Sequence, residues 1–181
     1  MRTDIHDTVP APSGVTITVT LGNTVTVKGP KGEVKRSFFD PKINLTSAQG
    51  GVDLRAPAGT RNEKKRLYSY SAHIKNMIHG VQQPHEYKLK VCSGHFPINV
   101  TATAAQLSVK NFLGEKTPRT TKIAPGVTVK VEGDKITISS PDLELAGQTA
   151  SSFERVCRIT NRDRRIFQDG IYIIKKAGEE A

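Results

Sequence analysis

Tryptophan is absent from the 181 residues, cysteine and methionine occur twice each, and aromatics amount to only 6%. That shortage argues against an aromatic stacking box of the kind single-strand RNA readers interleave along a strand. Long apolar runs are also missing. Nothing approaches the ~20 consecutive apolar residues a bilayer crossing needs, and Met1 to Pro12 is polar, without the apolar centre of a signal peptide. A soluble, intracellular protein with no membrane partner is expected. In that setting Cys92 and Cys157 read as plain thiols rather than a disulfide, and Asn44-Leu45-Thr46 and Asn99-Val100-Thr101 lack the secretory context that makes such triplets glycan acceptors. Acids are scarce as well: 17 Asp and Glu stand against 27 Lys and Arg, a formal charge of +10. With an isoelectric point near 9.8, the chain calls for a polyanionic partner, nucleic acid first.

Catalytic and metal motifs are absent too. There is no Gly-x-Ser-x-Gly and no His-Glu-x-x-His, and His6 lies in the polar leader. Cys92-x-x-His95, with His79 and His85 upstream, has ligand chemistry for zinc but not the paired spacing of a structural site. Gly114-Glu115-Lys116-Thr117 resembles the end of a phosphate-binding loop, but Glu115 separates the glycine from the lysine and position 109 is valine. No cofactor, no metal and no enzyme activity are expected.

What is present is a repeat. Val25-Thr26-Val27-Lys28, followed at a fixed spacing by Gly32-Glu33, returns as Leu107-Ser108-Val109-Lys110 followed by Gly114-Glu115. Further on, Val52, Leu54 and Pro57 match Ile136, Ile138 and Pro141. Around Gly133-Asp134 the alternation predicts a two-residue hairpin that pairs Val131 with Ile136, Val129 with Ile138 and Glu132 with Lys135. In the first half Val15, Ile17, Val19 and Leu21 alternate before Gly22-Asn23. A two-residue loop there would oppose Val19 to Thr26 and mismatch the faces, so an odd-length loop or a glycine bulge is predicted.

Each half then turns helical. Thr60 and Glu63 have capping-box spacing, and Leu67, Ser71, Ile74 and Ile78 form a stripe. Ser140-Pro141-Asp142 reads as N-cap, first-turn proline and first-turn acid, ahead of a stripe of Leu143, Ala146, Ala150, Phe153 and Cys157. His79 to His85 reads as the connection, and Phe38, Phe39, Phe153 and Phe167 as core. The resulting fold class is α+β, two duplicated domains, each with small antiparallel sheets and one packed helix. The boundaries are a polar leader over 1–12, a first repeat over 13–81 and a second over 82–181.

Charge is concentrated in two segments of the second half that resemble neither helix faces nor strands. Lys110, Lys116, Arg119 and Lys122 share a stretch with one acid, Glu115. Arg155, Arg158, Arg162, Arg164 and Arg165 follow, against Glu154 and Asp163. These nine are the candidate phosphate-binding residues. Asp163 and Asp169 are expected to pair with and orient the arginines. The first-half run Arg61, Lys64, Lys65 and Arg66 reads as a solvated helix end.

Asn111-Phe112-Leu113-Gly114-Glu115-Lys116, Pro125-Gly126-Val127-Thr128-Val129, Gly147-Gln148-Thr149-Ala150 and Asp163-Arg164-Arg165-Ile166-Phe167-Gln168-Asp169-Gly170-Ile171-Tyr172 together resemble the large-subunit ribosomal protein L6 family, in its archaeal and eukaryotic branch. Val25 to Glu33, His73 to Ile78, Tyr87 to Val91 and His95-Phe96-Pro97 extend the resemblance through the first half. It implies a structural constituent of the large ribosomal subunit, a cytoplasmic ribonucleoprotein component in translation. The implied partners are large-subunit rRNA, bound mainly through the second domain near the sarcin–ricin loop, and neighbouring large-subunit proteins including the stalk base. Ser151-Ser152-Phe153 and the acidic end at Glu179-Glu180 depart from the family pattern. From the residues alone, a basic RNA-binding module acting outside the ribosome remains the alternative.

Overall fold

The computed structural model describes residues 3–20, 22–48 and 50–178. Leu21, the last of the first alternating set, and the acidic end at Glu179 and Glu180 lie outside them. The chain divides into two compact units, Met1–Pro84 and His85–Ala181. Among the described residues no helix is long and apolar enough to cross a membrane.

In the first unit β1 (Thr3–Pro10), β2 (Thr16–Thr20), β3 (Thr24–Gly29), β4 (Gly32–Ser37), β5 (Asn44–Ala48) and β6 (Gly51–Gly59) precede α1 (Arg61–Gln82). They form two antiparallel sheets, ordered β2-β3-β4 and β1-β6-β5. Val19 lies opposite Val25 and Thr20 opposite Thr24, so the loop is odd in length. Gly22 and Asn23 take the positive φ values of 90° and 56° that such a turn needs. The leader is not a separate arm: Thr3–Pro10 pairs along β6. Its polar composition hid a period-two pattern in which Ile5, Asp7 and Val9 are more buried than their neighbours.

α1 begins where Thr60 accepts from the Asn62 N–H and the Glu63 carboxylate reaches back to Thr60, a complete capping box. Its buried stripe, Leu67, Ile74, Ile78 and Val81, faces the core built from Val9, Val25, Val27, Val52 and Leu54. Each such side chain contributes about 1.5–3 kcal/mol by leaving water. The helix continues through His79 and Gly80 to Gln82, so the connection shrinks to Gln83 and Pro84. Gly80 is buried, and Lys31 N–H reaches the Val81 carbonyl at 3.0 Å. The two segments approach so closely that a Cβ on Gly29 would sit 2.7 Å from Val81 Cγ2. Phe38 is buried but Phe39 is 92% exposed. Both follow the end of β4 at Ser37, and of the two it is Phe38 that packs into the core, against Tyr70.

The second unit contains β7 (His85–Cys92), β8 (Asn99–Ala102), β9 (Gln106–Lys110), a 3-10 turn at Phe112–Gly114, β10 (Arg119–Lys122), β11 (Thr128–Glu132), β12 (Lys135–Ser140), α2 (Leu143–Val156) and β13 (Gly170–Lys175). The sheets are β10-β9-β8 and β11-β12-β7-β13. Strand for strand these repeat the first unit: β8-β9-β10 stand as β2-β3-β4, and β7-β12-β11 as β1-β6-β5, with the helix following β12 as it follows β6. The β11–β12 hairpin has the expected register, Val131 opposite Ile136 and Glu132 opposite Lys135, and Gly133 adopts φ 58°. Ser140 is not the helix cap. It still pairs with His85 in the sheet, its hydroxyl bonds Gly126 O, and Asp142 caps α2 by accepting from Glu144 N at 2.9 Å. Ala150, Phe153 and Cys157 then turn onto Leu89, Ile136, Ile138 and Ile171, and Ala146 is buried as well.

Candidate nucleic-acid interface

Ladder pairing of β10 with β9 places Arg119 at one end and Lys122 at the other, about 10 Å apart along the strand. The first basic segment is therefore partly strand. Lys110, Lys116 and Lys122 are all exposed, but they do not form one patch, because Lys122 lies at the end of the ladder away from the Phe112–Gly114 turn. Arg119 differs from them. Its Nε and Nη2 form a fork on the Glu115 carboxylate at 2.7 and 2.5 Å, Nη1 donates to Val156 O and Arg158 O at 2.9 and 3.1 Å, and the guanidinium lies 4.4 Å from the Phe112 ring centroid. These bonds hold the Glu115 carboxyl below its usual range. Arg119 thus ties the Lys116 loop to the C-terminal end of α2, whose carbonyls would otherwise lack donors.

At that helix end the second basic segment is gathered. Arg155 occupies the last turn of α2, where a cation also complements the helix dipole, and Arg158 follows the C-cap. Together with Arg164 and Tyr172 they line a groove of about 270 Å³ with an apolar floor of Cys157, Ile159 and Ile171 and one acid, Glu154, at its edge. Burial pushes the Cys157 thiol up to about 11, so it is a packing group and not a nucleophile. Arg155, Arg158, Arg162, Arg164 and Arg165 are exposed, and none forms a salt bridge among the described residues.

The loop that presents Arg162, Arg164 and Arg165 is fixed from within. Asp163 Oδ1 accepts from the Arg165 N–H at 2.9 Å, and its main-chain carbonyl accepts from Ile166 N and Phe167 N. Phe167 meets the Arg162 guanidinium at 4.9 Å and the His95 ring at 4.8 Å. Asp169, 1% exposed, does not pair with an arginine as the sequence led us to expect. It accepts from Gly94 N, from His95 N at 3.2 Å and from His95 Nδ1 at 2.7 Å. Burial raises its pKa, but these donors outweigh burial and hold the carboxyl below its ordinary value. Asp163 therefore fixes the backbone of the arginine loop, Asp169 fixes His95, on which Phe167 stacks, and among the nine candidate residues the direct pairing of an arginine with an acid is that of Arg119 with Glu115.

Sequence reasoning did not single out Tyr172 or the His95–Asp169 pair. Tyr172 projects from β13, 41% exposed, and lines both the arginine groove and a wider cavity of about 850 Å³ beside Lys90, His95 and Gln168. Its outward place on a strand was its only signal. No local spacing links His95 to Asp169. The assembled surface offers forked cations beside a half-exposed ring, which suits phosphates flanking an unpaired base.

A model of the family described as Ribosomal protein L6 matches residues 11–84 and again 96–170, one match in each unit. The chain is 41% identical over 174 residues to the large ribosomal subunit protein uL6 of Ignicoccus hospitalis, covering 93% of both chains. It is 41% identical over 177 residues to the protein of the same name from Methanospirillum hungatei, covering 96% of this chain and 98% of that one. With the uL6 of Methanococcus vannielii it shares 39% identity over 175 residues, 97% of this chain and 96% of that one.

Proposed function

Since the chain belongs to the ribosomal protein L6 family, we propose that it serves as a structural protein of the large ribosomal subunit, holding rRNA chiefly through its second unit. It is a structural component and not an enzyme. The observation that carries the rRNA assignment is the groove in which Arg155, Arg158 and Arg164 converge beside Tyr172. Three exposed guanidiniums over an apolar floor, facing one edge carboxylate, are a poor arrangement for a free protein, because like charges repel. A polyphosphate chain reverses that: each cation gains a phosphate, and counterions are released.

Arg162 and Arg165 belong to the same loop as Arg164, and Lys116 follows Glu115, the carboxylate that Arg119 holds; Lys110 and Lys122 are further exposed cations of the unit. Arg119, occupied internally, sets the geometry of the Lys116 loop rather than offering donors. Tyr172 supplies a face on which one base stacks. In the cytoplasmic ribosome this surface would lie near the sarcin–ricin loop, with the stalk base among the neighbouring proteins. A cross-linking map of the protein on large-subunit rRNA tests the reading. Cross-links from the stretch between Arg155 and Arg165 and from Lys116 to that region of rRNA are expected, and cross-links confined to residues 3–84 would overturn it.

A further inference from the structure

The two units differ in one strand. β1 and β7 hold the same position, each pairing antiparallel with the strand that precedes the helix. β7 has a second neighbour, β13. β1 ends its row, β1-β6-β5, and among the described residues no strand pairs with its outer edge.

The orientation of that edge follows from one bond. Ala11 N–H donates to Gly50 O at 2.7 Å, and in an antiparallel ladder every second residue repeats this direction. Asp7 and Val9 therefore bond towards β6, while His6, Thr8 and Pro10 turn their main-chain groups outward. Two details agree. Pro10, which has no N–H, falls on the outward side, where edge strands accommodate proline, and the Thr8 N–H is met by the side chain of Asp7 at 3.1 Å instead of by β6. In the second unit Val91 N–H donates to Asp134 O at 2.7 Å, which sets the same phase and leaves Lys88, Lys90 and Cys92 to face β13.

Charge indicates what could join. β1 contains Asp4 and Asp7 and neither Lys nor Arg, and among the described residues no other strand carries a net negative formal charge, in a chain of +10. A second copy of β1 would set acids against acids, and a phosphate chain would be repelled. We propose that β1 takes up an extended, basic segment of another protein by strand addition, completing in the first unit the four-stranded sheet that β13 completes in the second.

The test uses the full-length, isotope-labelled chain and two synthetic octapeptides, one alternating Lys and Val, the other Glu and Val. Amide exchange is read at His6, Asp7, Thr8 and Val9. Without peptide, His6 should exchange rapidly while Asp7 and Val9 are protected. The Lys–Val peptide should slow His6 and Thr8 about tenfold or more, and the Glu–Val peptide should not. His6→Pro deletes an outward donor only, and should weaken Lys–Val binding about tenfold with little change in melting temperature. If that variant fails to fold, the exchange pattern of the unsubstituted chain still decides. Protection of His6 before any peptide is added, no protection by the Lys–Val peptide, equal binding of the Glu–Val peptide, protection that rises with the concentration of the chain itself, or protection by an rRNA fragment would each overturn the proposal.

Discussion

Glu63 does two jobs at the start of α1: it closes the capping box on Thr60, and it receives the Lys42 ammonium at 3.3 Å. The hydroxyl and N–H of Thr60 pull its carboxyl from 4.5 down to about 2. A carboxyl whose pKa is lowered by folding stabilises the fold fully above its unfolded pKa and loses that contribution as pH falls towards the folded value. Melting temperature should therefore decline between about pH 4.5 and 2, and Glu63→Gln should flatten the decline while lowering stability at neutral pH. A decline of unchanged steepness in Glu63→Gln would contradict this. Asp40 acts in the same direction: burial raises its pKa, but the Arg66 guanidinium at 2.8 Å and the Lys42 N–H outweigh that and leave it lowered. In the second unit Asp169→Asn replaces an acceptor that serves three donors with a group that must point its own N–H at one of them. A loss of about 2–4 kcal/mol is expected in urea unfolding. A loss near zero would show that the His95 loop does not depend on this carboxylate.

At the scale of elements, the tie between the Lys116 loop and α2 rests on one guanidinium. Arg119→Lys keeps the charge but cannot reproduce the fork on Glu115 together with bonds to two carbonyls. It should cost about 2 kcal/mol in chemical denaturation, and a cost as small as that of an exposed lysine substitution would contradict the assignment. This element also marks where the sequence was readable. The β11–β12 register, the capping box of α1 and both helical stripes were legible because alternation, helical period and turn residues are local. The start of α2 was not, because sheet pairing with His85 holds Ser140 after its local spacing has begun to resemble a cap. β1 was missed because two aspartates masked the alternation of Ile5 and Val9. The tie made by Arg119 is not legible in the sequence, because two of its acceptors, the carbonyls of Val156 and Arg158, lie far along the chain and only tertiary structure brings them to it. The same holds for Asp169 and His95.

Across the whole molecule the duplication explains the likeness of the units, and one added strand marks their difference. The same strands and helix supply each core, while the added strand β13 and the loop before it give the second unit the arginine groove. The sequence repeat pointed to the shared architecture, and the two clusters of basic residues pointed to the second unit. How the arginines converge depended on the helix end and β13, which no spacing reveals. Net charge does not distinguish this account from simple attraction, since both units carry cations. The direct comparison is large-subunit rRNA binding over a salt series for two full-length variants of equal charge loss, each confirmed folded by its melt. One replaces Lys116, Lys122, Arg158, Arg162 and Arg164 by Gln; the other replaces Lys31, Lys35, Arg61, Lys64 and Lys65 by Gln. The first should bind more weakly, the slope of its salt dependence shallower by roughly one for each phosphate it no longer neutralises, and the second should stay close to the unsubstituted protein. Equal losses from the two sets, or a larger loss from the second, would contradict the assignment of rRNA binding to the second unit.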